Sequence, residues 1–223
     1  MCFSATGSFA ISGVLTAVGA ASVARNSARP LRMFAAIPLI FAFQQAAEGS
    51  VWLTMDGVHA AVHRLAVNGF LSIALLVWPT WMPFALKLAE RDPGRRRALA
   101  ALSWMGVAVA ICAAVWLVRF NPTAEVAGHS IRYRYSPNAS DAEALLYLLV
   151  YAVPAVAPFF VSTVRLSPTI GVMLIVSLIA ATIVEKDALA SVWCFFAAML
   201  SVLVLVAVER EGRVHARPIP LGS

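Results

Sequence analysis

The stretch Met33-Phe34-Ala35-Ala36-Ile37-Pro38-Leu39-Ile40-Phe41-Ala42-Phe43-Gln44-Gln45-Ala46-Ala47-Glu48-Gly49-Ser50-Val51-Trp52 decides how the chain is read. At about 1.5 Å per residue it is long enough to cross a hydrocarbon core of roughly 30 Å, and it is apolar except for two amides, one carboxyl group and a serine near its end. An ionisable group in that setting costs several kcal/mol unless a partner, a proton or water satisfies it. Glu48 is therefore the first candidate functional residue.

The rest of the chain repeats the pattern. Of 223 residues, 61% are hydrophobic and 13% charged, with a mean hydropathy of +0.83; soluble domains hold about 45–50% apolar and about 25% charged residues. Runs of spanning length cover 3–24, 33–55, 65–86, 98–120, 142–164, 167–184 and 188–208. The expected fold is all-α: an integral membrane bundle of seven transmembrane helices, one domain over 1–208, followed by a short basic cytoplasmic tail, 209–223.

Basic residues orient the bundle. Arg25, Arg29, Arg32, Lys87, Arg91, Arg95, Arg96, Arg97, Arg165, Arg210, Arg213 and Arg217 fall on one side, and Arg64, Arg119, Arg132, Arg134 and Lys186 on the other. The positive-inside rule makes the first side cytoplasmic, with the N-terminus outside and the C-terminus cytoplasmic. This reads as a multi-pass protein of the inner (plasma) membrane whose partner is the lipid bilayer. The net charge of +6 needs no nucleic acid to explain it. The first run is not read as a cleavable signal peptide, because its first arginines follow the apolar stretch instead of preceding it.

Polar residues concentrate toward the outer side. The second span runs outward, which puts Glu48 about 22 Å from its cytoplasmic start and about 10 Å from its outer end. Gln44 lies one turn deeper on the same face and Trp52 one turn shallower, while Gln45 points about 100° away. At similar depth stand Ser4, Thr6, Ser8 and Ser12, then Asn68 and Ser72, Tyr147 and Tyr151, Thr182, and Ser191 and Cys194. The inner halves hold only hydroxyls, which can bond the preceding turn's carbonyls. That asymmetry argues against alternating access, which places substrate groups near the midplane between repeated halves. An outward-facing polar pocket around Glu48 is the expectation.

Within it, Glu48, Gln44 and Asn68 are candidate catalytic residues, and Gln45, Trp52, Ser72, Tyr147, Trp193, Arg132 and Arg134 candidate ligand contacts. The competing reading makes Glu48 a structural acid that joins helices, as membrane polar groups do for about 0.6–2 kcal/mol. Arg132 and Arg134 come from the longest outer loop, 121–141, where Ile131-Arg132-Tyr133-Arg134-Tyr135 alternates like a short strand, arginines on one face and tyrosines on the other. Such a loop is either a lid that clamps a head group or a solvated segment with aromatic anchors.

Metal ligation rests on scattered residues: Cys2, Cys194, Glu48 and His129 are the candidates. His59 and His63 have a four-residue spacing that suits a metal but no third ligand within the motif. The three cysteines, Cys2, Cys112 and Cys194, are read as packed thiols or, for Cys2 and Cys194, as a disulfide pair. Trp78-Pro79-Thr80-Trp81-Met82-Pro83 puts two prolines in the third span, which should kink it or free carbonyls inside the bundle. No phosphate loop, dinucleotide fingerprint, hydrolase elbow or zinc-protease helix occurs, and the sequence leaves the cofactor, if there is one, unknown.

Met1-Cys2-Phe3-Ser4-Ala5-Thr6-Gly7-Ser8-Phe9, Gln44-Gln45-Ala46-Ala47-Glu48-Gly49-Ser50-Val51-Trp52, Trp78-Pro79 and Ser191-Val192-Trp193-Cys194-Phe195-Phe196-Ala197-Ala198 together resemble a bacterial seven-span membrane family known only as a domain of unknown function. The resemblance implies membrane location and marks Cys2, Gln44, Gln45, Glu48, Trp193 and Cys194 as signature positions. Size, seven spans and an acid in the second span also look like the integral-membrane terpene cyclases, in which a buried acid protonates an isoprenoid. That family's second acid within the seventh span is missing here, and only Glu185 and Asp187, just before the span, stand near its place. The functional expectation is a membrane-embedded enzyme acting by general acid/base chemistry on a lipid-like or isoprenoid-like small molecule. The alternative is a non-catalytic membrane protein that binds or senses a small ligand or metal ion.

Overall fold

A computed structural model describes residues 4–26, 29–134, 141–184 and 188–215. The chain is mostly helical. In order come α1 (Ala5–Arg25), α2 (Ile37–Leu53), α3 (Ala60–Ser72), α4 (Trp78–Ala89), α5 (Pro93–Phe120), strands β1 (Thr123–Ala127) and β2 (Ser130–Arg134), α6 (Asp141–Val156), α7 (Ser167–Val184), α8 (Leu189–Leu200) and α9 (Val202–His215). Among the described residues four continuous rods, Ala5–Arg25, Ala60–Ala89, Pro93–Phe120 and Leu189–Glu211, are long and apolar enough to cross a membrane by length and composition, whereas the expected spans 33–55, 142–164 and 167–184 form shorter helices, Ile37–Leu53, Leu145–Val161 and Ser167–Ile183. The rod Leu189–Glu211 bends at Ser201, whose hydroxyl donates to the Ala198 carbonyl at 2.6 Å.

Small residues let α1 and α2 lie close. The buried positions of α1 are Ser8, Leu15, Gly19 and Ser22, a seam of the kind that packs helices in lipid, where close van der Waals contact replaces the hydrophobic drive. A Cβ on Gly19 would stand 2.6 Å from Leu39 Cγ and 2.9 Å from the Leu39 nitrogen. The Ser12 hydroxyl donates across the seam to the Ala42 carbonyl at 2.8 Å.

The two prolines in 78–83 reshape the joint between α3 and α4, and the backbone hydrogen bonds show how. Residues Ile73–Val77 form a π-helical turn in which the Trp78 N–H reaches back to the Ile73 carbonyl. This releases the Ala74 carbonyl, which accepts from the Tyr151 hydroxyl of α6 at 2.6 Å. Pro79 has no N–H to offer the next carbonyl, and the Thr80 hydroxyl takes those of Leu76 and Val77 at 2.8 and 2.9 Å. Pro83 in turn cannot donate to the Pro79 carbonyl. That oxygen is pressed against Gly106 of α5, where a Cβ would sit 1.8 Å from it. The expected kink is thus a bulge satisfied by side chains from its own helix and from α6.

The end of the bundle remote from the hairpin is held by Glu90. Its carboxylate accepts the N–H groups of Arg91 and Asp92 at 2.9 and 3.0 Å and, from the link between α6 and α7, the Thr163 N–H at 2.7 Å and hydroxyl at 3.0 Å. Burial alone would raise its pKa, but these hydrogen bonds outweigh it and hold the carboxyl below its usual range. Asp92 then caps α5 by accepting the Arg95 N–H at 2.7 Å.

At the other end, Asn121 stops α5 in the left-handed region, with φ 47°, and the chain turns into an antiparallel hairpin with Glu125 opposite Arg132 and Val126 opposite Ile131. Alternation along β2 sends Ile131 and Tyr133 inward, where both are buried, and leaves Arg134 exposed. The outside of the bundle is apolar: Phe43 is 71% exposed, Trp104 75% and Val118 87%. Surfaces this apolar mark contact with a membrane or another protein.

Candidate functional site

Two helices supply the centre of the site. On α2, Gln44 and Glu48 are four residues apart and share a face; on α8, Ser191 and Cys194 are three apart and share another. The faces meet. The Ser191 hydroxyl donates to Glu48 Oε1, and Gln45 Nε2 donates to Glu48 Oε2 at 3.3 Å. Trp78 of α4 donates its indole N–H to Gln44 Oε1 at 2.8 Å. Gln44, Gln45, Glu48 and Ser191 all have zero solvent exposure. A carboxyl so placed, with two neutral donors and no described cation bonded to it, can hold or yield a proton without exchanging it with bulk water.

Beside this cluster lies an aromatic-walled cavity. Phe41, Trp78, Tyr151, Trp193 and Cys194 line it, and its volume is about 30 Å³, enough for one or two water-sized groups. Cys194 belongs to both cluster and cavity, since it lies beside Gln44 and Glu48.

The hairpin packs against the cluster through Tyr133. Tyr133 stacks on Phe70 of α3, with centroids 4.5 Å apart and planes 7° apart, and its phenol lies within electrostatic reach of Glu48 and Cys194. Burial, reinforced by those two neighbours, holds the phenol well above its usual pKa, so it remains a neutral hydroxyl. Four buried polar atoms at or near the cluster, Gln44 Nε2, Gln45 Oε1, Trp52 Nε1 and Tyr133 Oη, have no hydrogen-bond partner among the described residues. Gln44 Nε2 can donate to the weak acceptor Cys194 Sγ beside it. Each such group left unpaired costs about 1–3 kcal/mol.

The other candidates are dispersed. Asn68 donates to the Arg64 carbonyl of its own helix at 2.8 Å. Trp193 donates to the Leu174 carbonyl at 3.3 Å, so only its ring serves the cavity. Tyr147 stacks between Trp116 and Tyr151, each 6.3 Å away, and Ser72 is half-buried beside the π turn. Trp52 is half-buried one turn from Glu48. Arg134 pairs with Glu125 on the hairpin surface at 2.6 Å, and Arg132, half-buried, shares the β2 face opposite Tyr133. His129 is exposed at the hairpin turn, and His63 Nδ1 lies 3.0 Å from Thr54 Oγ1. Among the described residues no group of three His, Cys, Asp or Glu side chains is placed to hold a metal ion. Cys2, Tyr135, Glu185 and Asp187 lie outside the described residues. Ser191, Trp78 and Tyr133 were not among the candidates; for Ser191 the signal was its three-residue spacing from Cys194.

No curated protein and no solved structure matches the chain. A family model does, over residues 1–218, so the chain belongs to a family of unknown function, DUF6629.

Proposed function

We propose that the chain is a seven-span protein of the bacterial inner membrane, N-terminus outside and C-terminus cytoplasmic, and a membrane-embedded enzyme that uses Glu48 as general acid or base on a lipid-like or isoprenoid-like small molecule. The apolar outer surface, the four rods of spanning length and the one-sided distribution of arginines support the placement. One observation carries the chemistry: a fully buried carboxyl, oriented by Ser191 and Gln45, stands beside unpartnered polar atoms and an aromatic cavity. A group that merely joined helices would be expected in a closed set of hydrogen bonds, without orphaned neighbours.

In this reading Ser191 and Gln45 fix the plane of the carboxyl, Trp78 fixes Gln44, and the aromatic rings exclude water and seat apolar carbon. The Tyr133 ring of the hairpin, stacked on Phe70, packs beside Glu48 and Cys194. A non-catalytic ligand binder or sensor is the second reading, and the small cavity favours it: about 30 Å³ takes only one or two water-sized groups.

The test is conversion of a total membrane lipid extract by the purified protein in nanodiscs, followed by mass spectrometry. The enzyme reading expects a product that wild type forms and Glu48→Gln does not. Identical profiles for the two proteins would remove it.

A further inference from the structure

The end of the bundle remote from the hairpin carries positive charge that the fold does not answer. Glu90 ties two links together there, accepting from Arg91 and Asp92 on one and from Thr163 on the other. Arg95 Nη1 adds a second tie, donating to the Val161 carbonyl at 2.8 Å. These bonds set Arg95, Arg96 and Arg97, at the start of α5, beside the link that carries Arg165, and all four are exposed. The link itself is fixed. The Ser167 hydroxyl donates to the Phe159 carbonyl at 2.6 Å, and Leu166 holds φ 64°, a left-handed conformation that leucine adopts only where its surroundings impose it.

The acids of the two links are already engaged. Glu90 is buried and takes the hydrogen bonds just named, and Asp92 accepts the Arg95 N–H. Arg95, Arg96, Arg97 and Arg165 form no ion pair with a described residue. Cations at the start of a helix also oppose its dipole, so the three on α5 stand where the helix alone would not favour them. An anion from outside the chain would answer both.

Apolar surface borders this charge. Phe160 is exposed and adjoins Val161, the residue whose carbonyl holds Arg95. At the same end of α4, Phe84 and Leu88 are exposed, and Lys87 lays its ammonium over the Phe84 ring, 4.6 Å from the centroid. That is the posture of a lysine whose stem follows apolar surface toward a polar boundary. Resting on the placement of the chain in a membrane, we infer that Arg95, Arg96, Arg97 and Arg165 form a binding surface for the phosphate of an anionic phospholipid, whose acyl chains meet Phe84, Leu88 and Phe160. Free phosphate and nucleic acid would satisfy the arginines and leave the apolar border uncovered.

The experiment titrates the full chain in dodecylmaltoside micelles with dioctanoyl phosphatidylglycerol, dioctanoyl phosphatidylcholine or sodium phosphate, read by saturable shifts of the thermal unfolding midpoint. Phosphatidylglycerol should bind at least about 10-fold more tightly than phosphatidylcholine, a preference that shrinks as salt is added. Sodium phosphate should give no saturable shift over the same concentrations. Arg96→Gln with Arg165→Gln should weaken phosphatidylglycerol by about 3–5-fold per arginine; Arg95 stays in place because it also holds Val161. Arg64→Gln with Arg119→Gln removes the same charge from exposed positions outside the two links and should leave the affinity unchanged. Equal affinity for the two lipids, equal loss in the two double variants, or a phosphate shift matching that of phosphatidylglycerol would overturn the inference. A chain that stayed folded and soluble without detergent would remove the membrane placement instead, and the micelle titration separates the two because it offers lipid to both ends of the bundle.

Discussion

Replacing Ser191 with alanine removes the donor that α8 sends to Glu48 Oε1 and leaves the carboxyl with Gln45 alone, at 3.3 Å. Both residues have zero exposure, so no solvent takes the place of the hydroxyl. An unsatisfied buried acceptor costs about 1–3 kcal/mol. Interhelical hydrogen bonds in membranes average only about 0.6 kcal/mol, because separated helices also find partners. The Glu48 bond should exceed that average, since a carboxyl is costlier than a hydroxyl or amide to leave unpaired in hydrocarbon. The expected loss for Ser191→Ala is therefore about 1–2 kcal/mol. In a Glu48→Leu background the same change has no carboxyl to orphan and should cost under about 0.5 kcal/mol. The double-mutant cycle, read by reversible unfolding in mixed micelles through tryptophan fluorescence, should give a coupling of about 1 kcal/mol or more. A coupling below about 0.3 kcal/mol would refute the claim that this bond joins α2 to α8.

Glu90→Ala should destabilise by about 1–3 kcal/mol in the same assay, because the N–H groups of Arg91, Asp92 and Thr163 lose their shared acceptor. Since the folded carboxyl is held below its usual value of 4.5, its contribution is complete at neutral pH and lost as pH falls from about 4.5 through the folded value. Wild type and Glu90→Gln should therefore converge in stability in acid, and a gap that persists or widens there would contradict the assignment. Gly106→Ala places a methyl 1.8 Å from the Pro79 carbonyl oxygen, whereas Gly13→Ala meets nothing within 4 Å. The first should cost about 1–3 kcal/mol or more, and the second should be neutral or stabilising by up to about 1 kcal/mol.

The helices were legible because a long apolar run buries its backbone best when every N–H and C=O is satisfied within the run, as a helix does; four of the seven expected runs form helices of spanning length among the described residues. Glu48, Gln44 and Gln45 were legible as a buried polar group for the same reason. Helix rotation was not. Asn68 has the right depth but finishes on its own Arg64 carbonyl, whereas Ser191 and Cys194 face Glu48 because of how α8 sits against α2. The strand pattern at 131–135 showed which side chains of the hairpin share a face. That this face would close over Glu48 depends on Tyr133 finding Phe70, a contact between loop and helix that no local pattern encodes. Pro79 announced a disturbed helix, but the partner of the carbonyl that the bulge releases, the Tyr151 hydroxyl on Ala74, comes from far along the chain. Glu90 passed unremarked for a similar reason, since Thr163 lies 73 residues away.

Glu48→Gln separates a reacting Glu48 from a helix-joining one, because the amide keeps nearly the same shape and still offers Ser191 an acceptor. Unfolding stability and conversion of membrane lipid extract, measured on one nanodisc preparation, form the decisive pair. A reacting Glu48 predicts stability within about 0.5 kcal/mol of wild type and conversion reduced by about 10²-fold or more. Conversion at the wild-type rate, with stability lowered by 1–2 kcal/mol or so, would contradict it and make Glu48 a structural tie.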